Sequence, residues 1–185
     1  MVAPSHRVPL WDGRAPLTLA GPSAGPSESA DAHLDIYQPR AAGVDSSGTA
    51  VVIVPGGAYN PPNYKWAKTH EGAHVARWLV SLGVLAAVLT YRLPQGRPQV
   101  PVADALRAIE TVRQRSEAWA FKALRVGVIG FSAGGHLAAT AATLFTAKAN
   151  RPDFAMLMCP RMPTCLKRRR LALTRRASRA LAAIR

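Results

Sequence analysis

With 185 residues and 49% apolar side chains, the chain can bury one real core, and its length favours one domain over two. The formal charge of +14 invites a nucleic-acid reading, but nine of the 24 Lys/Arg residues fall in residues 161–185, which hold no acid, so most of the excess belongs to the tail. No stretch reaches the roughly 18 continuous apolar residues of a membrane span. Pro4, His6, Arg7, Pro9 and Asp12 break the apolar core that a secretory signal needs. A cytoplasmic protein is therefore the expectation, with export left open if the true start lies elsewhere. Cys159 and Cys165 are too few for a disulfide framework and have no metal-ligating neighbours, so both read as ordinary thiols.

In chain order, residues 20–30 are rich in Gly, Pro, Ser and Ala and predict a surface loop. His33-Leu34-Asp35-Ile36-Tyr37 alternates polar with apolar, as a strand buried on one face does, and Gln38-Pro39 ends it. Val51-Val52-Ile53-Val54 is apolar on both faces, as expected inside a parallel sheet, and stops at Pro55-Gly56-Gly57. Between Glu71 and Gly83 the spacing of Val75, Trp78, Leu79 and Leu82 predicts the inward stripe of a helix closed by Gly83.

Val84 to Leu89 predicts another buried strand. Pro101 suits the first turn of a helix whose inward stripe is Val102, Ala105, Leu106, Ile109, Val112 and Ser116. Val126–Ile129 follows as a strand, Leu137, Ala141, Leu144 and Phe145 line the next helix, and Phe154–Met158 predicts one more strand. Strands and helices alternate at lengths that suit right-handed crossovers, so the fold class is α/β with a mostly parallel sheet and flanking helices.

Gly130-Phe131-Ser132-Ala133-Gly134 joins the Val126–Ile129 strand to the following helix. This is the G-x-S-x-G pattern of a nucleophile elbow, a strand-to-helix turn too tight for large neighbours, which makes Ser132 the candidate nucleophile. A serine attacking a carbonyl needs donors for the oxyanion that forms. The amide of Ala133, at the helix N-terminus, is one candidate. Pro55-Gly56-Gly57-Ala58-Tyr59 leaves a buried strand with bare backbone and is the candidate source of the second. Tyr59 either borders the acyl site or packs, and Tyr91-Arg92 at a strand end braces loops.

These segments, with Leu34-Asp35-Ile36-Tyr37-Gln38-Pro39, Tyr91-Arg92-Leu93-Pro94, Asp104-Ala105-Leu106-Arg107-Ala108 and the continuation Gly135-His136-Leu137-Ala138, occur in an order and spacing that resemble the α/β-hydrolase esterases related to acetylxylan esterases and bacterial feruloyl esterases. The resemblance runs from about Val8 to Met158. It implies Ser132 as nucleophile and the amides of Gly57, Ala58 and Ala133 as the oxyanion hole. It further implies a carboxylic-ester substrate, an acetyl or feruloyl group on plant polysaccharide fragments, with no cofactor and no metal.

In that family the triad acid follows a seventh strand and the histidine an eighth, whereas here the match stops near Cys159-Pro160. After Ser132 the only acid is Asp153 and the only histidine is His136. Asp153 precedes a strand and so belongs at the end of the sheet opposite the site, and His136 is expected to pack as a structural residue. Residues 1–160 are accordingly expected to be the N-terminal part of a hydrolase domain. Residues 161–185 are expected to be a non-native, disordered or helical tail produced by truncation or frameshift, and the chain is expected to be inactive.

Two rivals stay open at this point. His70-Glu71-Gly72-Ala73-His74 matches H-E-x-x-H, in which a helix offers two histidines to zinc and the glutamate acts as base, although Gly72 weakens such a helix. Lys167-Arg168-Arg169-Arg170 and Arg175-Arg176 could serve a module that binds nucleic acid or an anionic membrane surface, although the tail has no aromatic side chain for base stacking.

Overall fold

The computed structural model describes residues 3–13, 15–16, 32–39 and 47–158. The loop expected at 20–30, both cysteines and the basic tail lie outside the described residues.

Six strands form one sheet: β1 (His6–Pro9), β2 (His33–Tyr37), β3 (Thr49–Val54), β4 (Leu85–Thr90), β5 (Arg125–Phe131) and β6 (Ala155–Met158), in the order β1-β2-β4-β3-β5-β6. The first two strands run antiparallel to their neighbours, and β4, β3, β5 and β6 are parallel. The α/β class with a mostly parallel sheet is thus the observed one. The β-branched run of β3 alternates between two cores. Ala50, Val52 and Val54 pack with helices α3 (Gln99–Arg115) and α4 (Ala133–Thr143), whereas Val51 and Ile53 pack with Ala76 and Leu79 of α2 (His74–Ser81). Helices therefore cover both faces, and the continuous apolar runs of β3 and β4 follow from that double burial.

Several local expectations change. Strand β1 is an addition: a short edge strand bounded by prolines carries too weak an alternation to be read from sequence. A further helix, α1 (Pro61–Ala67), starts on two prolines and passes through a π-helical turn, Lys68–Ala73, into α2. On α2 the expected inward stripe is wrong in part, because Trp78 and Leu82 are 58% and 54% exposed. The helix lies close to the sheet through Gly72, which meets Val88, and through Ala76, so its contact line is made of small residues and the large ones move to the flank. Helix α4 likewise ends at Thr143, leaving Leu144 and Phe145 exposed beyond it.

Between β4 and α3, Arg92 and Asp104 form an ion pair with side chains only 4% and 0% exposed. Asp104 accepts from Arg92 Nη2 (2.7 Å), from the Arg92 backbone amide (2.9 Å) and from Trp11 Nε1 (2.8 Å), and Arg92 Nη1 donates to the Pro16 carbonyl (2.9 Å). The pair thereby ties the N-terminal segment to the end of β4 and the start of α3. Loss of one partner strands a buried charge, so Asp104→Ala should cost about 3–5 kcal/mol. Replacing both partners by apolar residues, as in Arg92→Met/Asp104→Leu, should restore much of that loss. Urea unfolding of the two variants beside the parent measures both.

Candidate active site

Strand β5 delivers the chain to Ser132, and α4 begins at the next residue. Ser132 has φ 50° and ψ −114°, a backbone conformation that non-glycine residues rarely adopt. The tightness of the turn has a specific cause. A Cβ on Gly130 would collide with the carbonyl of Gly134, and one on Gly134 with the carbonyls of Val54 and Pro55. The start of α4 therefore lies directly against the end of β3, which brings Ser132 beside the loop leaving that strand.

That loop turns sharply at Gly57 (φ 100°), Ala58 (φ 53°) and Tyr59 (φ 56°), closed by the Asn60 amide donating to the Gly57 carbonyl at 2.9 Å. Gly57 has no alternative, since a Cβ would stand 2.5 Å from the backbone nitrogen of Tyr64. Three of the five non-glycine residues with positive φ among the described residues, Ala58, Tyr59 and Ser132, meet here. Such clustering of strained backbone is characteristic of functional sites.

Side chains hold the two turns together. Tyr91 Oη donates to the Pro55 carbonyl at 2.9 Å, and Glu71 Oε2 accepts the Gly56 amide at 2.6 Å. Tyr59 Oη donates to the Ala133 carbonyl at 3.1 Å and lies 3.0 Å from His136 Nδ1. The phenol has one proton to give, so the direction of the bond between Tyr59 and His136 follows the His136 tautomer. Burial pushes the Tyr59 phenol up to about 12 and holds the His136 imidazole below its ordinary value.

Of the residues expected at the site, Ser132, Gly57 and Ala58 line one cavity of about 310 Å³, together with Asn63, Trp66 and Glu71. Ala133 is buried at the first turn of α4, where helix amides lack intrahelical acceptors. Asp153 sits at the opposite end of the sheet, accepting from the Val126 amide (2.7 Å) and Arg113 Nη2 (3.1 Å). Burial acts to raise its carboxyl, but these bonds hold it below the usual carboxylate range.

The H-E-x-x-H segment is divided in use. Glu71 turns to Gly56, while His70 stacks on Trp66 with centroids 4.2 Å apart and bonds the Trp66 carbonyl. Among the described residues no group of three or more His, Cys, Asp or Glu gathers for a metal ion. Asn63, Trp66 and the loop-holding role of Glu71 were not read from sequence. The only signal for them was that α1 and Glu71 follow the glycine loop closely.

A parallel sheet with a strained serine at the end of a central strand, facing a glycine turn on the neighbouring strand, defines an α/β-hydrolase. The BD-FAE family model matches residues 34–158, and the chain belongs to that family of esterases. It is 39% identical over 114 residues to an acetylxylan esterase of Xylanibacter ruminicola, a stretch that covers 62% of this chain and 23% of that protein.

Among solved structures, it is similar to an acetyl ester-xyloside bifunctional hydrolase from Caldicellulosiruptor lactoaceticus, with a TM-score of 0.64 and 31% identity over 84% of this chain and 57% of the other. It is also similar to MGS-M1, an alpha/beta hydrolase enzyme from a Medee basin deep-sea metagenome library, with a TM-score of 0.55 and 27% identity over 67% and 50% of the two chains. The chain thus spans little more than half of the first of these structures and about a quarter of the acetylxylan esterase.

The lowered His136 value makes stability depend on pH. Between the folded value and the ordinary imidazole value of about 6.5 the unfolded chain binds more protons, so the unfolding free energy falls as pH drops through that window. In His136→Gln this part of the decline should flatten. Urea midpoints measured from pH 7.5 to pH 5 for both proteins test it.

Proposed function

We propose that this chain carries the nucleophile half of a serine esterase that removes acyl groups, acetyl or feruloyl, from plant polysaccharide fragments. Ser132 Oγ attacks the ester carbonyl, and the amides of Gly57, Ala58 and Ala133 receive the charge that develops on the carbonyl oxygen. Each such donor is typically worth roughly 2.7–4 kcal/mol in the transition state. The observation that carries this reading is the forced conformation of Ser132 directly beside the Gly57–Ala58 turn, in one cavity. Similarity to an acetylxylan esterase supports the substrate class. The reaction needs no cofactor.

Residues 1–160 form, on this reading, part of a hydrolase domain whose proton acceptor and acid come from elsewhere. His136 is engaged with Tyr59, Asp153 lies at the far end of the sheet, and residues 159–185 contain neither an acid nor a histidine. A serine hydroxyl without a base is a weak nucleophile.

Three outcomes are expected. A fluorophosphonate probe should label Ser132 in a form of the domain that includes an acid and a histidine, with labelling lost in Ser132→Ala; persistent labelling of that variant would overturn the assignment. The 185-residue chain itself should hydrolyse 4-nitrophenyl acetate near background. Translation of the nucleotides after the codon for Pro160 in the other two frames should restore strands followed by an acid and then a histidine. Clear turnover by the 185-residue chain, with no such frame, would send the search for a base back to His70, His74 and His136.

A further inference from the structure

The part of the cavity lining that comes from α1 is the least expected part of the site. Trp66 is 58% exposed, an unusual state for the largest apolar side chain, and it lines the same cavity as Ser132. It is also held still. The His70 ring covers one face of the indole at 4.2 Å and an interplanar angle of 12°, while His70 Nδ1 bonds the Trp66 carbonyl at 3.0 Å. His74 in turn packs edge-on against His70 at 5.6 Å. An indole fixed on one side and exposed overall is a pre-organised flat surface, and ordering it before the ligand arrives lowers the entropic cost of binding.

We propose that Trp66 is a stacking platform for the sugar ring that carries the scissile ester, and so a specificity-determining residue for the alcohol side of the substrate. This rests on the esterase reading above. A pyranose presents an apolar C–H face to an indole and hydroxyls at its edge, and the cavity supplies both kinds of partner, since Asn63 and Glu71 line it beside Trp66. A planar aromatic acyl group would be served by apolar walls, and would give the Asn63 amide and the second Glu71 carboxylate oxygen, the one not bonded to Gly56, no hydroxyl to bind. The cavity volume of about 310 Å³ suits a ligand of one or two rings rather than a stretch of polymer, so the platform addresses the single sugar nearest Ser132.

The test reads binding, not turnover, and uses the 185-residue chain. Xylotriose is titrated by NMR chemical-shift and saturation-transfer measurements against the parent, Trp66→Ala and Trp66→Phe, with ethyl ferulate as the second ligand. Truncation to Ala should weaken xylotriose binding by about tenfold or more, while Phe retains most of the affinity. Ethyl ferulate binding should be little changed by either substitution.

No xylotriose binding by the parent, or equal binding by parent and Trp66→Ala, overturns the platform. So does loss confined to ethyl ferulate, which would make Trp66 a contact of the acyl group. Each of these leaves the esterase reading standing, because that reading falls only with the probe chemistry at Ser132.

Discussion

Everything at the site depends on three backbone segments meeting without side chains between them. The end of β5, the first turn of α4 and the end of β3 touch at Gly130, Gly134 and the carbonyls of Val54 and Pro55, and a single methyl group at either glycine would force them apart. Neither glycine is there to supply a positive φ. That conformation falls instead on Ser132, where it has a side chain to display. The contact fixes where the hydroxyl stands relative to the Gly57–Ala58 turn, because both are attached to strands β5 and β3, which are hydrogen-bonded neighbours in register from Thr49–Arg125 to Val54–Gly130.

Holding Ser132, Ala58 and Tyr59 in sparsely populated backbone regions costs on the order of 1–3 kcal/mol each, so the surroundings must over-determine them. Three tyrosines contribute. Tyr91 donates to the Pro55 carbonyl, Tyr64 Oη accepts the Tyr91 amide at 2.7 Å, and Tyr59 donates to the Ala133 carbonyl. Their rings are in contact, with Tyr64–Tyr91 centroids at 4.6 Å and Tyr59–Tyr91 at 6.2 Å. Burial pushes all three phenols up, so none gives up its proton near neutral pH and each remains a donor. A buried hydrogen-bond chain of this kind specifies one arrangement of the loop, since any other leaves donors unpaired.

The parts legible in the sequence are those whose cause is local. The β-branched run of β3 and the small residues around Ser132 are each dictated by what lies within a few residues, and they located the strands, the crossovers and the elbow. What escaped the reading has a tertiary cause. The outward position of Trp78 and Leu82 follows from Gly72 meeting Val88 on another strand, a closeness that periodicity counts cannot detect. Strand β1 exists because β2 offers it an edge, with Val8 opposite Leu34, and not because His6–Pro9 has the composition of a strand. The Tyr91-Arg92 pair was read as a brace, and it is one. The extent of that brace, reaching through Asp104 to Trp11, required the fold.

Glu71 shows how a motif with one familiar chemistry can be divided between two unrelated tasks. On the proposed mechanism, a carboxylate beside this cavity opposes the charge of the developing oxyanion through Coulomb repulsion, so its presence needs a compensating gain. The gain lies in the loop. By accepting the Gly56 amide at 2.6 Å, Glu71 satisfies a buried donor, and on the proposed mechanism this leaves the oxyanion to the next two amides, of Gly57 and Ala58, at the bend. The same helical turn aims His70 the other way, where it backs Trp66. One short segment after β3 thus serves two parts of the cavity lining: its carboxylate holds the glycine loop, and its imidazole steadies the indole.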